Sequence, residues 1–396
     1  MRLTVFALTL AFAFSALAVD SEPWRNANYK YRQKFTFTAA ASTCPQFPLA
    51  IVVNATYFKI AKANLGTKCW TIYDQDGNRW NGEEVAGITD DGTYKIGEFH
   101  ASLSTFDLYT AKTALWLYYD ASYSDTTYTD TTGNTGAKAV WDKNTQVVFH
   151  CQEANGNLVD STSNGASATA NGTPTYGTTG SIGKAVTLTA TSPPYDYWTG
   201  LPDVIKSQSE ITVSMWVNPT TGLGVDAAIF SYAYLDDGYW QFDITPAAWY
   251  TRDSSTGLKG ARNNDITWSA ISQGSWHHIF ARYSVAEGKK EIFLDGKSAG
   301  SSTTSIDAIT NTQDYRQIGL LSIYAAAYRY IGSHDEIRIA SGIARSTDWG
   351  VAERNNGLAG NGLTLDGSEQ EQPSGYTGWP HQILDKMRGG AHGGFQ

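Results

Sequence analysis

The sequence predicts an all-β protein of two consecutive strand-rich modules, on three observations. Short runs such as Lys34–Thr38, Leu49–Val53, Ala114–Tyr119 and Ile211–Val217 are alternating or continuously apolar, and Gly, Asn and Asp clusters bound them. No long segment keeps a helical period. Of the 396 residues, 41% are hydrophobic, 13% aromatic and only 17% charged, which is too apolar for disorder and too polar for a membrane bundle. The net charge of −9, with no Lys/Arg cluster, excludes nucleic acid as a partner, because a phosphate backbone needs a basic face.

In chain order, residues 1–18 read as a secretory signal: Arg2 precedes an apolar run from Leu3 to Leu17 that closes on Ala16-Leu17-Ala18. No later stretch reaches the 18–20 or so apolar residues a span requires, so the chain is expected outside the cytoplasm, secreted or at a surface, without membrane insertion. Residues 19–120 form the first β-rich module. Residues 121–140, almost wholly Thr, Ser, Asp, Tyr and Gly up to Gly136, read as a linker. Residues 141–355 form the second module, and residues 356–396 a Gly-rich tail. Helix is expected at two places only, near Ala55–Leu65 and at Ser346–Arg354. An oxidising compartment permits one disulfide among Cys44, Cys69 and Cys151. Cys44–Cys69 is the expected bridge, since both lie in the first module, with Cys151 a buried free thiol after Val147-Val148-Phe149.

Several motifs of the second module carry a family resemblance. Val148-Phe-His-Cys-Gln-Glu153, Asn155 to Asp160, Gly183-Lys-Ala-Val, Ile211 to Pro219, Gly274-Ser-Trp276-His277-His278-Ile279, Ile292-Phe-Leu-Asp295-Gly296 and Ile331 to Ile339 follow in order over about 200 residues. They resemble the laminin-G-like, concanavalin A-like jelly-roll family. The earlier motifs Trp24 to Lys34, Phe47-Pro48-Leu49, Asp74-Gln-Asp76-Gly77 and Leu115 to Tyr119 resemble an uncharacterised secreted domain that precedes laminin-G-like domains in bacterial proteins. The implied fold is an N-terminal β-sandwich-like module followed by a concanavalin A-like jelly roll. In Ile211–Val217, residues 211, 213, 215 and 217 share the core-facing side, and Thr212, Ser214 and Trp216 the other.

Lectin-like members of this family bind glycans or proteins on loop rims or on a concave sheet, through stacked aromatic rings. The aromatic segment from Ser231 to Trp268 supplies the candidates Tyr232, Tyr234, Tyr239, Trp240, Trp249 and Trp268. Calcium-binding relatives imply a Ca2+ pair at Asp160 and Asp335. Asp74 to Asn78 is oxygen-rich but lacks a distal bidentate Glu and reads as a hairpin turn. His277 and His278, adjacent on a strand, point to opposite faces and do not share an ion. The paired carboxylates of glycosidases on this fold are absent, as are the Gly-x-Ser-x-Gly, His-Glu-x-x-His and P-loop motifs, so no catalytic residue is assigned. The expected function is non-enzymatic recognition of an extracellular glycan or protein. The alternative is a subunit of an extracellular coat or appendage, a homopolymer docked through tail anchors such as Tyr376, Trp379, Ile383 and Phe395.

Overall fold

The computed structural model describes residues 23–54, 56–109, 114–123, 137–220, 227–232, 240–244, 247–251, 264–269, 271–303, 306, 316–320, 329–358 and 363–374. The expected signal, most of the linker and the four tail anchors lie outside the described residues.

The first module contains β1 (Tyr31–Phe37), β2 (Leu49–Val53), β3 (Trp70–Asp74), β4 (Asn81–Asp90), β5 (Lys95–Ser102) and β6 (Ala114–Tyr119). The second begins after a 3-10 turn at Lys138–Val140 with β7 (Thr145–Phe149), β8 (Leu158–Val159), β9 (Ser167–Asn171), β10 (Thr175–Thr179), β11 (Lys184–Leu188), β12 (Tyr197–Thr199) and β13 (Glu210–Pro219). It continues through β14 (Ala228–Tyr232), β15 (Trp240–Ile244), β16 (Ala247–Thr251), β17 (Asn264–Thr267), β18 (His277–Ser284), β19 (Lys289–Leu294), β20 (Lys297–Ser302), β21 (Arg316–Ile318) and β22 (Gly332–Ser341). A helix, α1 (Thr347–Asn356), and two short strands, β23 (Leu363–Leu365) and β24 (Gln370–Glu371), follow.

The second module is a two-sheet sandwich. One sheet runs β10-β11-β22-β13-β18-β19-β20 with β7 on β22, and the other runs β17-β16-β15-β14-β21-β12-β9-β8. Every pairing is antiparallel, and alternation sends Ile211, Val213, Met215 and Val217 into a shared core with Phe230, Phe242, Trp198 and Ile318 of the facing sheet. The expected core-facing side of β13 is therefore the observed one. Its other side is also buried, because Thr212, Ser214 and Trp216 are covered by α1 and the first module.

That covering follows from an unexpected chain path. The segment read as the start of a tail returns to the first module, where β23 and β24 both pair with β1 in the sheet β23-β1-β6-β3. This sheet and the sheet β2-β5-β4 share a core of Phe35, Ile51, Trp70, Phe99, Leu115 and Leu117, which extends without a break to Phe280, Phe293 and Trp349 of the second module. The two modules are thus stacked through one sheet of each. The helix expected at Ser346–Arg354 forms as α1 and lies in this junction, capped by Ser346, whose side chain accepts from Trp349 N. Gly350 lets it approach β18, since a Cβ there would sit 2.6 Å from the Phe280 ring. At its end the Asn356 amide exchanges two hydrogen bonds with Ala50 on the edge strand β2, at 2.7 and 3.0 Å.

Four expectations fail or hold for local reasons. Ala55–Leu65 is not helical among its described residues, because Phe58, Ile60 and Leu65 all turn into the first core. The expected Cys44–Cys69 bridge is not formed: the Cys44 thiol faces Ser346 Oγ at 4.0 Å, whereas the Cys69 thiol donates to Thr67 O at 3.1 Å. Cys151 is the expected buried thiol. Asp74–Asn78 is a turn in which Asp74 Oδ1 accepts from Asp76 N and Asn78 N, both at 2.9 Å.

His277 and His278 do face opposite ways. His277 bonds Asp295 Oδ2 at 2.7 Å near the surface, while His278 is buried against Trp216, with ring centroids 5.1 Å apart. Burial holds His278 down at about 4, against the opposing pull of Glu353 and Asp295 and with Arg338 and Arg354 adding to the depression. The unfolded chain, with His near 6.5, takes up this proton first, so the contribution is complete above pH 6.5 and is lost as pH falls towards 4. A loss of about 3 kcal/mol across that window is expected, read by urea unfolding at pH 7 and pH 4. His278→Phe, which keeps a ring against Trp216, should remove that part of the slope; an unchanged slope contradicts the assignment.

Candidate functional site

The first module and α1 occupy the outer side of the β13 sheet, so the second sheet of the jelly roll presents the other broad face. Core-facing Ala168, Trp198, Ile318, Phe230 and Phe242 fix the orientation of their neighbours by alternation. Thr169, Thr199, Gln317, Ser231 and Gln241 therefore share the outer face, and their pairings place them directly opposite one another across β9, β12, β21, β14 and β15. At one strand spacing per step, the row spans about 19 Å. It is open at Thr169, half-buried at Thr199 and deeply buried at Gln317, Ser231 and Gln241.

A polar face of this burial differs from an ordinary solvated sheet side, where water completes every hydrogen bond. Within the row, Ser231 Oγ donates to Leu320 O at 3.2 Å and Gln241 Nε2 donates to Asp243 Oδ1 at 2.6 Å. The two amide oxygens that flank Ser231, Gln241 Oε1 and Gln317 Oε1, have no hydrogen-bond partner in the chain. Both oxygens are buried, so a ligand hydroxyl would reach them only by displacing what now covers the row.

The aromatic candidates take other places. Tyr232 and Trp249 are fully buried in the sandwich core, Tyr232 donating its hydroxyl to Pro202 O and Trp249 lying 5.1 Å from Phe242. Neither is an exposed stacking platform, because the same alternation that turns Ser231 and Gln241 outward turns these rings inward. Trp268 is half-buried against that core. Tyr234 and Tyr239 lie outside the described residues, and of Trp240 only the backbone is described, in β15 opposite Tyr232. The signal that could have identified the row is the polar residue alternating with Trp198, Ile318, Phe230 and Phe242.

The structure separates the roles of Asp160 and Asp335. Asp160 is saturated by Val148 N, Thr162 N, Thr162 Oγ1 and Ala166 N, at 2.6–3.1 Å. Asp335 Oδ2 accepts from Ile182 N at 2.9 Å. Neither belongs to the one group of three or more metal-capable side chains found among the described residues, which is Glu98, His100, His150 and Glu336.

That group lies at the junction of the modules. Phe99 and Ala101 of β5 enter the first core, so Glu98 and His100 face the jelly roll, while Ile337 and Ile339 enter the second core and turn Glu336 and Arg338 towards β5. His150 Nδ1 lies 2.5 Å from Glu336 Oε1, and His100 Nε2 lies 3.0 Å from Glu98 Oε1. Arg338 bonds Glu336 Oε2 at 2.6 Å and Glu353 Oε1 at 3.3 Å, and stacks over Trp141. Burial pushes Glu98 well above the usual carboxylate range, reinforced by the Glu336 charge, and pushes His100 well below its ordinary value. Against burial, His150 and Arg338 hold Glu336 low, while Glu336 and Glu83 hold His150 well above its ordinary value.

Residues 192–348 match the family described as the concanavalin A-like lectin/glucanases superfamily, and this part of the chain is a laminin G-like jelly roll. Among solved structures, domain 4 of AbnA, a GH43 extracellular arabinanase from Geobacillus stearothermophilus, in complex with arabinotriose, is 22% identical with a TM-score of 0.43, covering 52% of this chain and 96% of that one. The binding domain of botulinum neurotoxin DC in complex with SialylT is 9% identical with a TM-score of 0.42, over 55% of this chain and 52% of that one. The same domain in complex with rat synaptotagmin II is 10% identical with a TM-score of 0.43, over 55% and 52%. The match thus spans about half the length of the neurotoxin domains. No curated protein matches the chain. No helix among the described residues is long and apolar enough to cross a membrane.

Proposed function

We propose that the chain is a secreted, non-enzymatic recognition protein that holds a glycan along the outer face of the second jelly-roll sheet. The observation that carries this reading is the polar row from Thr169 to Gln241 with its two unpartnered amide oxygens, Gln317 Oε1 and Gln241 Oε1. A buried acceptor without a partner lowers stability, and a ligand hydroxyl that donates to it recovers that cost on binding. Sugars offer such donors at regular intervals, whereas an apolar ligand leaves the row unsatisfied. The first module supports the jelly roll from behind, over the opposite sheet.

The test is retention of the full chain on an array of neutral glycans. The wild type is expected to be retained, and Gln317→Leu to lose retention about tenfold, the worth of one to two hydrogen bonds. Its melting temperature should be unchanged or raised, because Gln317 Oε1 makes no bond to lose. A wild type that no glycan retains, or a Gln317→Leu variant retained like the wild type, contradicts the reading.

A further inference from the structure

We propose that Glu98, His100, His150 and Glu336 bind one divalent transition-metal cation of the zinc class, joining the first module to the jelly roll. One ligand atom from each lies within 4.8 Å of the other three, and all four side chains are buried. They come from β5, the residue just after β7, and β22, so such an ion would tie together segments whose numbers differ by as much as Glu98 and Glu336. His150 Nδ1 and His100 Nε2 both face Glu336 Oε1, at 2.5 and 3.9 Å, with Glu98 Oε1 at 3.0 Å from His100 Nε2. A tetrahedral ion with ligands about 2.0–2.2 Å away spaces its donors by roughly 3.3 Å, so the present spacings bracket the required one.

The outer oxygens of the two carboxylates are already held, as in metal centres where surrounding groups orient each donor, whereas the outer ring nitrogens His100 Nδ1 and His150 Nε2 make no hydrogen bond. Gln152 Nε2 donates to Glu98 Oε2 at 3.1 Å, Arg338 Nη2 to Glu336 Oε2 at 2.6 Å, and Glu83 Oε2 lies 3.6 Å from His150 Nε2. Gly183 makes room for this support: it has a φ of +58°, and a Cβ there would lie 2.3 Å from Glu98 Oε2 and 2.9 Å from Gln152 Nε2. Two imidazole nitrogens and two carboxylates suit zinc and its neighbours rather than calcium, which takes oxygen ligands alone. Two carboxylates also balance the charge of a divalent ion inside a water-poor junction.

The test uses the full chain stripped with chelator. Calorimetric titration with Zn2+ is expected to show one ion per chain, and Ca2+ no binding at this site. Co2+ in its place should give the intense d–d absorption of a tetrahedral ion without a thiolate charge-transfer band. Gln152→Ala, which removes the support of Glu98, should weaken Zn2+ binding 10–100-fold, while His277→Gln, outside the cluster, should leave it unchanged. Absence of stoichiometric Zn2+ binding by the folded wild type, a thiolate band, or affinity unaltered by both Gln152→Ala and a folded His150→Gln variant overturns the proposal.

Discussion

Replacing Arg338 with Met is expected to destabilise the protein by about 3–5 kcal/mol, the cost of removing one partner from a buried ionic network. The guanidinium serves two carboxylates, Glu336 at 2.6 Å and Glu353 at 3.3 Å, and all three side chains lie inside the junction. Its removal leaves Glu353 beside His278, a ring that burial keeps neutral near pH 7, and leaves Glu336 to His150. Met keeps the length of the aliphatic stem while removing the guanidinium and its stacking over Trp141, so the loss reports the charged head rather than volume. Arg338→Lys should recover only part, because a single ammonium does not span both carboxylates as the planar fork does. Urea unfolding measures the effect; a cost below 1 kcal/mol for Arg338→Met would mean that the junction admits water.

Trp249→Ala is expected to cost a similar 3–5 kcal/mol, through a cavity in the sandwich core. The ring has no exposed surface and packs against Phe242 opposite Ile266. Below its lowered melting temperature the variant should retain a glycan as the wild type does, since the ring is turned away from the outer row. A stable Trp249→Ala variant that loses retention would restore the stacking role and displace the polar row.

Much of the fold was legible because it rests on local alternation. The core side of Ile211–Val217, the order of the jelly-roll motifs, the turn at Asp74–Asn78 and the helix near Ser346–Arg354 each depend on residues a few positions apart. What escaped depends on distant partners. Nothing near Leu363 indicates that it will pair with Phe37, and the burial of Trp216 on the outer side of β13 depends on a helix more than a hundred residues later. The junction cluster left a trace that was passed over: Glu98-Phe-His100 and Glu336-Ile-Arg338 put titratable groups at i and i+2, on one side of strands whose other side is apolar. In both segments the carboxylate alternates with a basic side chain, so a pattern of paired carboxylates alone does not reveal them. Two of the aromatic candidates, Tyr232 and Trp249, face the core: composition counts rings without regard to face, whereas in β14, β15 and β16 the pleat sends Tyr232, Phe242 and Trp249 inward and the polar residues between them outward.

The central claim is that the ligand lies on the outer face of the second jelly-roll sheet. Amide hydrogen exchange of the full chain, with and without a glycan that the array retains, tests it most directly. Protection should rise in β9, β12, β14, β15 and β21, the strands that carry the row, and stay unchanged in the first module and in β13, β18 and β22. Protection confined to the first module or to the β13 sheet, with the row strands unaffected, would contradict the account.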